Sequence, residues 1–294
     1  GSGKTVTITS SYTGADVGNY SVTDHSSTTA NITAKALTVS GITSSSKTYD
    51  ATTSATLNTG SLSYGGLVSG DNLTGTYSGV FNNANVGSGK TVNITSSYSG
   101  ADVNNYTITD QASTTADVTA KALTATASTA NKTYNAATTA STTLTFTGLI
   151  GSETLGQTVG STFDNKNVGT GKTVTVNSIT LTNGSNGGLA ANYSISTGQT
   201  TTANITAKAL TATASASNKV YDGLTTATTT LTFSGLIGSE TLGQTVASTF
   251  NNKNVATSKA VTVNSIVLAN GSNGGLAGNY SISPGQTTTA NITA

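Results

Sequence analysis

The chain has no cysteine, methionine or tryptophan, and one proline among its 294 residues. Without cysteine it builds no disulfide scaffold and offers no thiolate to a metal. Charge is nearly as scarce. Asp, Glu, Lys and Arg make up 8% of the residues, against about 25% in an average globular protein. The formal net charge is +1, so no strong field draws in nucleic acid or an acidic membrane surface. The single histidine, His25, leaves no cluster for zinc. No apolar run is long enough to cross a bilayer. There is no initiator methionine and no signal peptide, so the expectation is a segment of a longer chain.

Thr, Ser, Asn, Gly and Ala fill the space, and they do so in tandem. The phrase KALT stands at Lys35, Lys121 and Lys208, spaced 86 and 87 residues apart. Each copy is followed by KTYDATT (Lys47), KTYNAATT (Lys132) or KVYDGLTT (Lys219). A Gly-Leu turn with an acid comes next, at Gly66, Gly148 and Gly235. Then come GVFNNANVGSGKTV (Gly79), STFDNKNVGTGKTV (Ser161) and STFNNKNVATSKAV (Ser248). An Asn-Tyr segment and TTA-x-[IV]-TA close each unit. Residues 1–34 match the last part of a unit, through GNYSVT (Gly18) and TTANITA (Thr28). The expected organisation is a truncated repeat at 1–34 and full repeats at 35–120, 121–207 and 208–294. His25 has no counterpart in the other copies, which argues against a Ser-His-Asp relay.

The local pattern is that of strands. TVNIT (Thr91), TVTVNSITLT (Thr173) and AVTVNSIVLA (Ala260) alternate apolar with polar residues. The Gly-Leu-acid turn (GLIGSETL) has room for one helical turn. A unit of about 87 residues is large enough to close its own core, so the reading is a string of small autonomous domains. At each joint the apolar parity switches. Ala203 and Ile205 share one face and Leu210 takes the other, as do Val118 and Leu123. One extended segment therefore ends a unit and begins the next, leaving almost no linker. The expectation is an all-β tandem array forming an elongated rod. Each unit is expected to be an Ig-like β-sandwich, with a β-grasp-like sheet as the alternative.

The ordered motifs resemble the YDG-type repeat of very large bacterial surface proteins similar to filamentous haemagglutinin and other two-partner-secretion adhesins. The namesake triplet matches best at Tyr221-Asp222-Gly223 and Tyr49-Asp50-Ala51; Tyr134-Asn135-Ala136 departs from it. That departure argues against an essential carboxylate there. The resemblance implies non-enzymatic stalk modules of an exported adhesin at the bacterial cell surface, supporting adhesion or biofilm formation. It carries over no catalytic residue.

Several patterns suggest chemistry, and each also has a plainer role. GSGKTV (Gly1, Gly87) and GTGKTV (Gly169) imitate the tail of a phosphate-binding loop. However, Ala84 and Lys166 stand where its first glycine belongs, a strand pattern follows, and the last copy reads ATSKAV. A tight turn with positive φ accounts for all copies. Asp71, Glu153 and Glu240, with Asp50, Asp222 or Asn135, are too few for a calcium site and suit turn and cap roles. Lys47, Lys132 and Lys219 with Asn105, Asn192 and Asn279 raise the idea of an isopeptide staple. Tyr49, Tyr134, Tyr221, Tyr106, Tyr193 and Tyr280 are expected in the core, although sugar stacking is the other use of such rings. Phe81, Phe163 and Phe250 are expected core. Asn31 and Asn192 open Asn-x-Ser/Thr triplets. No catalytic, cofactor-binding or metal-ligating residue is expected, and no cofactor. The expected state is a monomer without nucleic-acid partners or membrane insertion, with glycans or host and biofilm surfaces bound through other regions. The alternative is a carbohydrate- or host-surface-binding module. It would sit in the first full repeat, where SYSGADVNNY (Ser97) replaces NGSNGGLAANY (Asn183).

Overall fold

The computed structural model describes residues 1–294. The chain is all-β, with four one-turn 3-10 helices and no α-helix. It divides into two compact units, Gly1–Lys121 with Ala191–Ser194, and Ala122–Ala190 with Ile195–Ala294.

The third repeat shows the plan. Its main sheet has five strands in the order Lys219–Val220, Thr287–Thr293, Ala256–Asn270, Leu242–Phe250 and Thr226–Ala227. The Lys219–Val220 strand joins parallel to Thr287–Thr293 and the other neighbours are antiparallel. A ribbon of Thr211–Ala216 against Thr229–Ser234 packs beside this sheet, and Lys208–Ala209 pairs parallel with Tyr280–Ser281. The second repeat repeats the five-stranded order with Lys132–Thr133, Thr200–Thr206, Gly169–Asn183, Leu155–Phe163 and Thr139–Ala140. So does the first, with Lys47–Thr48, Ser113–Thr119, Gly87–Ser99, Thr74–Phe81 and Ser54–Ala55.

Alternation decides which face is core. Val261, Val263, Phe250, Ala290 and Ile292 are buried, while Thr262 between the two valines faces outward. The long strand then carries a bulge. Ser248 pairs with Val263 and Ala247 with Ser265, so Asn264 is the extra residue. The parity shift turns Ile266 and Leu268 to partly covered positions and leaves Val267 63% exposed. Asn177 does the same in the second repeat. The first repeat has the unbroken spacing of Val92 and Ile94, and its pairing runs straight. The switch at the joint is also visible: Ile205, on the Thr200–Thr206 strand, and Leu210, between the strands Lys208–Ala209 and Thr211–Ala216, are both buried.

The first and third repeats each hold a cluster of their own, around Leu37 and Tyr106 and around Phe250 and Val261, but the core at the boundary between the second and third repeats is shared. In the second unit, one cluster joins Tyr134, Phe163, Val174, Ala203 and Ile205 of the second repeat to Leu210 and Tyr280 of the third. An unaided 87-residue core is thus the wrong picture at this boundary. The joint is interior.

Candidate functional site: the joint between repeats

The joint is built from three phrases that lie far apart in sequence. Tyr134 comes from Lys-x-Tyr of the second repeat, Glu240 from the Gly-Leu-acid turn of the third, and Tyr280 from its Asn-Tyr segment. Backbone addition fixes the first: Lys132 and Thr133 pair with Ile205 and Thr206, and Tyr134 N–H donates to Thr206 O at 2.9 Å. The turn is a β-turn rather than the helical turn the sequence allowed. Glu240 N–H donates to Ile237 O at 3.1 Å, with Gly238 at φ 56°. Tyr280 is set by its strand, which pairs with Lys208–Ala209.

The two rings meet edge to face, with centroids 5.4 Å apart and planes at 78°. Such a pair contributes about 0.5–1.5 kcal/mol beyond burial. Both hydroxyls donate to the one carboxylate: Tyr134 to Oε1 at 2.7 Å and Tyr280 to Oε2 at 2.6 Å. Ile237 N–H donates to the Tyr280 hydroxyl at 3.0 Å. Tyr134 is 1% exposed and Glu240 7%, with Lys166 Nζ at 3.9 Å from Oε1. Buried carboxylates are tolerated when their lone pairs are occupied, and here each oxygen has a donor. Burial, then the bond to Glu240, pushes the Tyr134 hydroxyl up to about 12. The same two causes, in the same order, raise Tyr280.

An amide latch lies alongside. Asn279 Oδ1 accepts from Val168 N–H at 2.9 Å, and its Nδ2 donates to Asn167 Oδ1 at 3.1 Å. The first unit holds the same latch, with Val86 N–H to Asn192 Oδ1 at 2.9 Å and Asn192 Nδ2 to Asn85 Oδ1 at 3.1 Å. It also holds the same ring pair, Tyr49 on Tyr193 at 5.4 Å and 79°.

The YDG triplet performs a separate task. Asp222 Oδ1 accepts from Lys219 Nζ at 2.8 Å and from Leu224 N–H at 2.9 Å, closing an Asx-turn. The bond to Lys219 holds the Asp222 carboxyl below the usual carboxylate range. Asn135 uses its Oδ1 in the same way, toward Lys132 Nζ at 3.0 Å and Ala137 N–H at 3.2 Å. A single oxygen is all the turn needs, which explains why Asn replaces Asp. The third position is left-handed in every copy: Ala51 at φ 61°, Ala136 at 58° and Gly223 at 76°. That conformation is the physical reason for a glycine there. Each lysine also lies over a core phenylalanine, Lys47 on Phe81, Lys132 on Phe163 and Lys219 on Phe250, at 5.2–5.8 Å.

The acids of the turn and the triplet take different partners, tyrosine hydroxyls for Asp71 and Glu240 and lysines for Asp50 and Asp222. No three His, Asp or Glu side chains cluster. The lysines are not brought to Asn105, Asn192 or Asn279; Asn192 and Asn279 serve the latch, and Asn105 faces Asp102. Asn192 is buried and closed to a glycan. Asn31 is exposed and accepts from Gly3 N–H, and His25 is exposed. The Gly-Lys loops lie within strands, at bulges where Gly89, Gly171 and Ser258 have φ of 57°, 60° and 52°. Lys90, Lys172 and Lys259 turn their ammonium groups to Asn83, Asn165 and Asn252. Five of the six tyrosines are buried, and Tyr221 is 47% exposed. Sequence reasoning missed the Tyr–acid–Tyr convergence. Its only linear signal is that all three phrases recur in every unit.

The third repeat thus completes the core of the second through tyrosine and acid, within an all-β tandem repeat chain. A family model for the YDG domain matches residues 33–116, 119–203 and 206–290, and the chain belongs to that family. No curated protein matches the chain.

Proposed function

We propose that the chain is a run of non-enzymatic stalk repeats from an exported bacterial cell-surface adhesin, holding a distal binding region away from the cell. The observation that supports this reading most is the joint. The second repeat supplies Tyr134 and the third supplies Glu240 with Tyr280 to one buried connector, and the Lys-x-Tyr, turn-acid and Asn-Tyr phrases that build it recur in every full repeat. Such units concatenate without a flexible linker, which is what a stalk requires. Low charge makes the surface insensitive to ionic strength, and absence of cysteine removes dependence on an oxidising compartment. Antibody raised against this segment should label intact cells of the source bacterium. Labelling only after lysis would sink the reading.

A second reading has one observation in its favour. In the first full repeat, the Tyr64 and Tyr77 hydroxyls lie 3.0 Å apart, and Tyr77 packs edge-on against Tyr98, whose hydroxyl donates to Asp110. An open groove of about 570 Å³ runs past Leu57, Gly75 and Tyr77. Aromatic and hydroxyl groups of this kind suit a glycan. A glycan array decides: saturable binding lost in Tyr77→Ala promotes this reading, and a blank array removes it.

A further inference from the structure

The first full repeat departs from the other two along one seam. In the second repeat, the strands Leu155–Phe163 and Thr142–Thr147 lie in different sheets, and two side chains close the gap between them. Gln157 accepts from Leu144 N–H at 3.1 Å and donates to Leu144 O at 2.7 Å. The Ser161 hydroxyl lies 2.7 Å from that of Thr142 and donates to Ala140 O at 3.1 Å. Gln244 and Ser248 make the same bonds in the third repeat, to Leu231, Thr229 and Ala227. Every partner lies within its own repeat, so the seam belongs to one unit alone.

In the first repeat, glycines stand at both places. Phe81 pairs with Val92 as Phe163 pairs with Val174. Counted back from these phenylalanines, Gly79 takes the place of Ser161 and Gly75 that of Gln157. The stretch from Tyr49 to Gly66 is also longer than that from Tyr134 to Gly148. It breaks the strand into Leu57–Asn58 and Ser63–Gly65, with a turn in which Leu62 N–H donates to Thr59 O at 3.0 Å. The gap therefore stays open, as the groove of about 570 Å³ already described, within the size range of small-molecule sites. The glycines keep it so. A Cβ at Gly79 would stand 2.7 Å from Leu57 Cδ2, and one at Gly75 would stand 2.2 Å from the Tyr77 hydroxyl.

The groups facing the groove are polar and uncharged. No charged side chain lines it, and Asp110 is held by the Tyr98 hydroxyl. Gly75 N–H donates to the Tyr64 hydroxyl, and Phe81 N–H donates to Thr53 O. Alternate residues of a strand turn their main chain to the same edge. Tyr77, between Gly75 and Phe81, thus presents its N–H and C=O to the groove, and the Ser54–Ala55 strand stops short of it, at Gly79. Leu57 supplies an apolar wall, and the paired hydroxyls of Tyr64 and Tyr77 supply a donor and an acceptor.

We propose that this groove seats a neutral pyranose ring. The apolar face of the ring lies against Leu57 and the Tyr77 ring. Adjacent sugar hydroxyls bond to the Tyr77 main chain and to the Tyr64 hydroxyl. An ionic ligand finds no counter-charge here. The inference rests on the glycan-binding reading of the first repeat and narrows it to one seat and one class of sugar.

The test is two-dimensional NMR of the full chain with the methyl pyranosides of glucose, galactose and mannose. Saturable shifts are expected at the amides of Leu57, Gly75, Tyr77 and Gly79 with at least one of these sugars. Gly79→Ser, which installs the residue of the second repeat, should abolish them and leave the amides of the other repeats in place. Tyr77→Phe, which keeps the ring, should weaken binding several-fold. Shifts that persist in Gly79→Ser, or that fall elsewhere on the chain, overturn this seat and leave the glycan-binding reading standing. No shift with any of the three sugars at high millimolar concentration overturns the neutral-sugar seat, and a blank glycan array beside it removes the broader reading as well.

Discussion

Glu240 is the most consequential single residue, because two buried hydroxyls depend on one carboxylate. Glu240→Ala strands both donors, each at a cost of about 1–3 kcal/mol. The relief of burying an acid offsets part of this, so a net loss of roughly 2–4 kcal/mol is expected in urea denaturation. Tyr134→Phe keeps the ring pair and should cost only about 1 kcal/mol. Equal losses in the two variants would mean that the carboxylate is not the hub. Titration offers an independent check. The folded Tyr134 hydroxyl ionises at about 12, above the ordinary value of ~10. A raised folded value favours the fold while the unfolded hydroxyl is still protonated. The contribution is therefore complete below pH ~10 and is lost as pH rises through about 12. The melting temperature should fall across that window, and the fall should shrink in Tyr134→Phe. Sequence showed that these tyrosines are core; it did not show the acid between them. Glu240 stands 106 residues from Tyr134, and only the fold brings them together.

Strands were the legible part of the chain, because Thr and Val alternate with period two and little else competes. The bulges were harder to see, yet their signal is present. Val261 and Val263 share one parity, Ile266 and Leu268 the other, and the break falls at Asn264. Deleting Asn264 leaves Ser265 opposite Ala247 and Ile266 opposite Val246, so the strand alternates without a break, as at Val92 and Ile94 of the first repeat, and Ile266 and Leu268 keep their face. Inserting a second residue beside Asn264 instead turns Ile266 and Leu268 outward. With about 1.5–3 kcal/mol at stake per large apolar side chain, the insertion should lower hydrogen-exchange protection in the third repeat and the deletion should not. Equal losses in the two variants would show that the extra residue does not set the parity. The second bulge makes the opposite kind of prediction. Ser258 holds φ 52° where the other copies have glycine. Left-handed backbone costs a non-glycine residue about 1–2 kcal/mol, and glycine gives back part of that through the unfolded chain. Ser258→Gly should therefore stabilise by roughly 0.5 kcal/mol in chemical denaturation.

At the scale of the whole molecule the repeat register was readable from the first motif onward, and the family match falls on the same three copies. What sequence could not supply was the dependence of one repeat on the next. An isolated unit looks large enough to fold alone, and nothing in its composition says that Tyr134 needs Glu240 of the following copy. The proposed stalk turns on this dependence, since the core shared by the second and third repeats takes the place of a linker between them. A stalk requires repeats of roughly 30–40 Å, from strands of about eight residues at ~3.3 Å each, in series, and hence a particle longer than ~100 Å. Small-angle X-ray scattering of the full chain in solution measures this directly. The account predicts a rod-like distance distribution with a maximum above ~100 Å, unchanged between low and high salt. A compact, near-spherical particle, or a flexible chain whose length varies with salt, would contradict it.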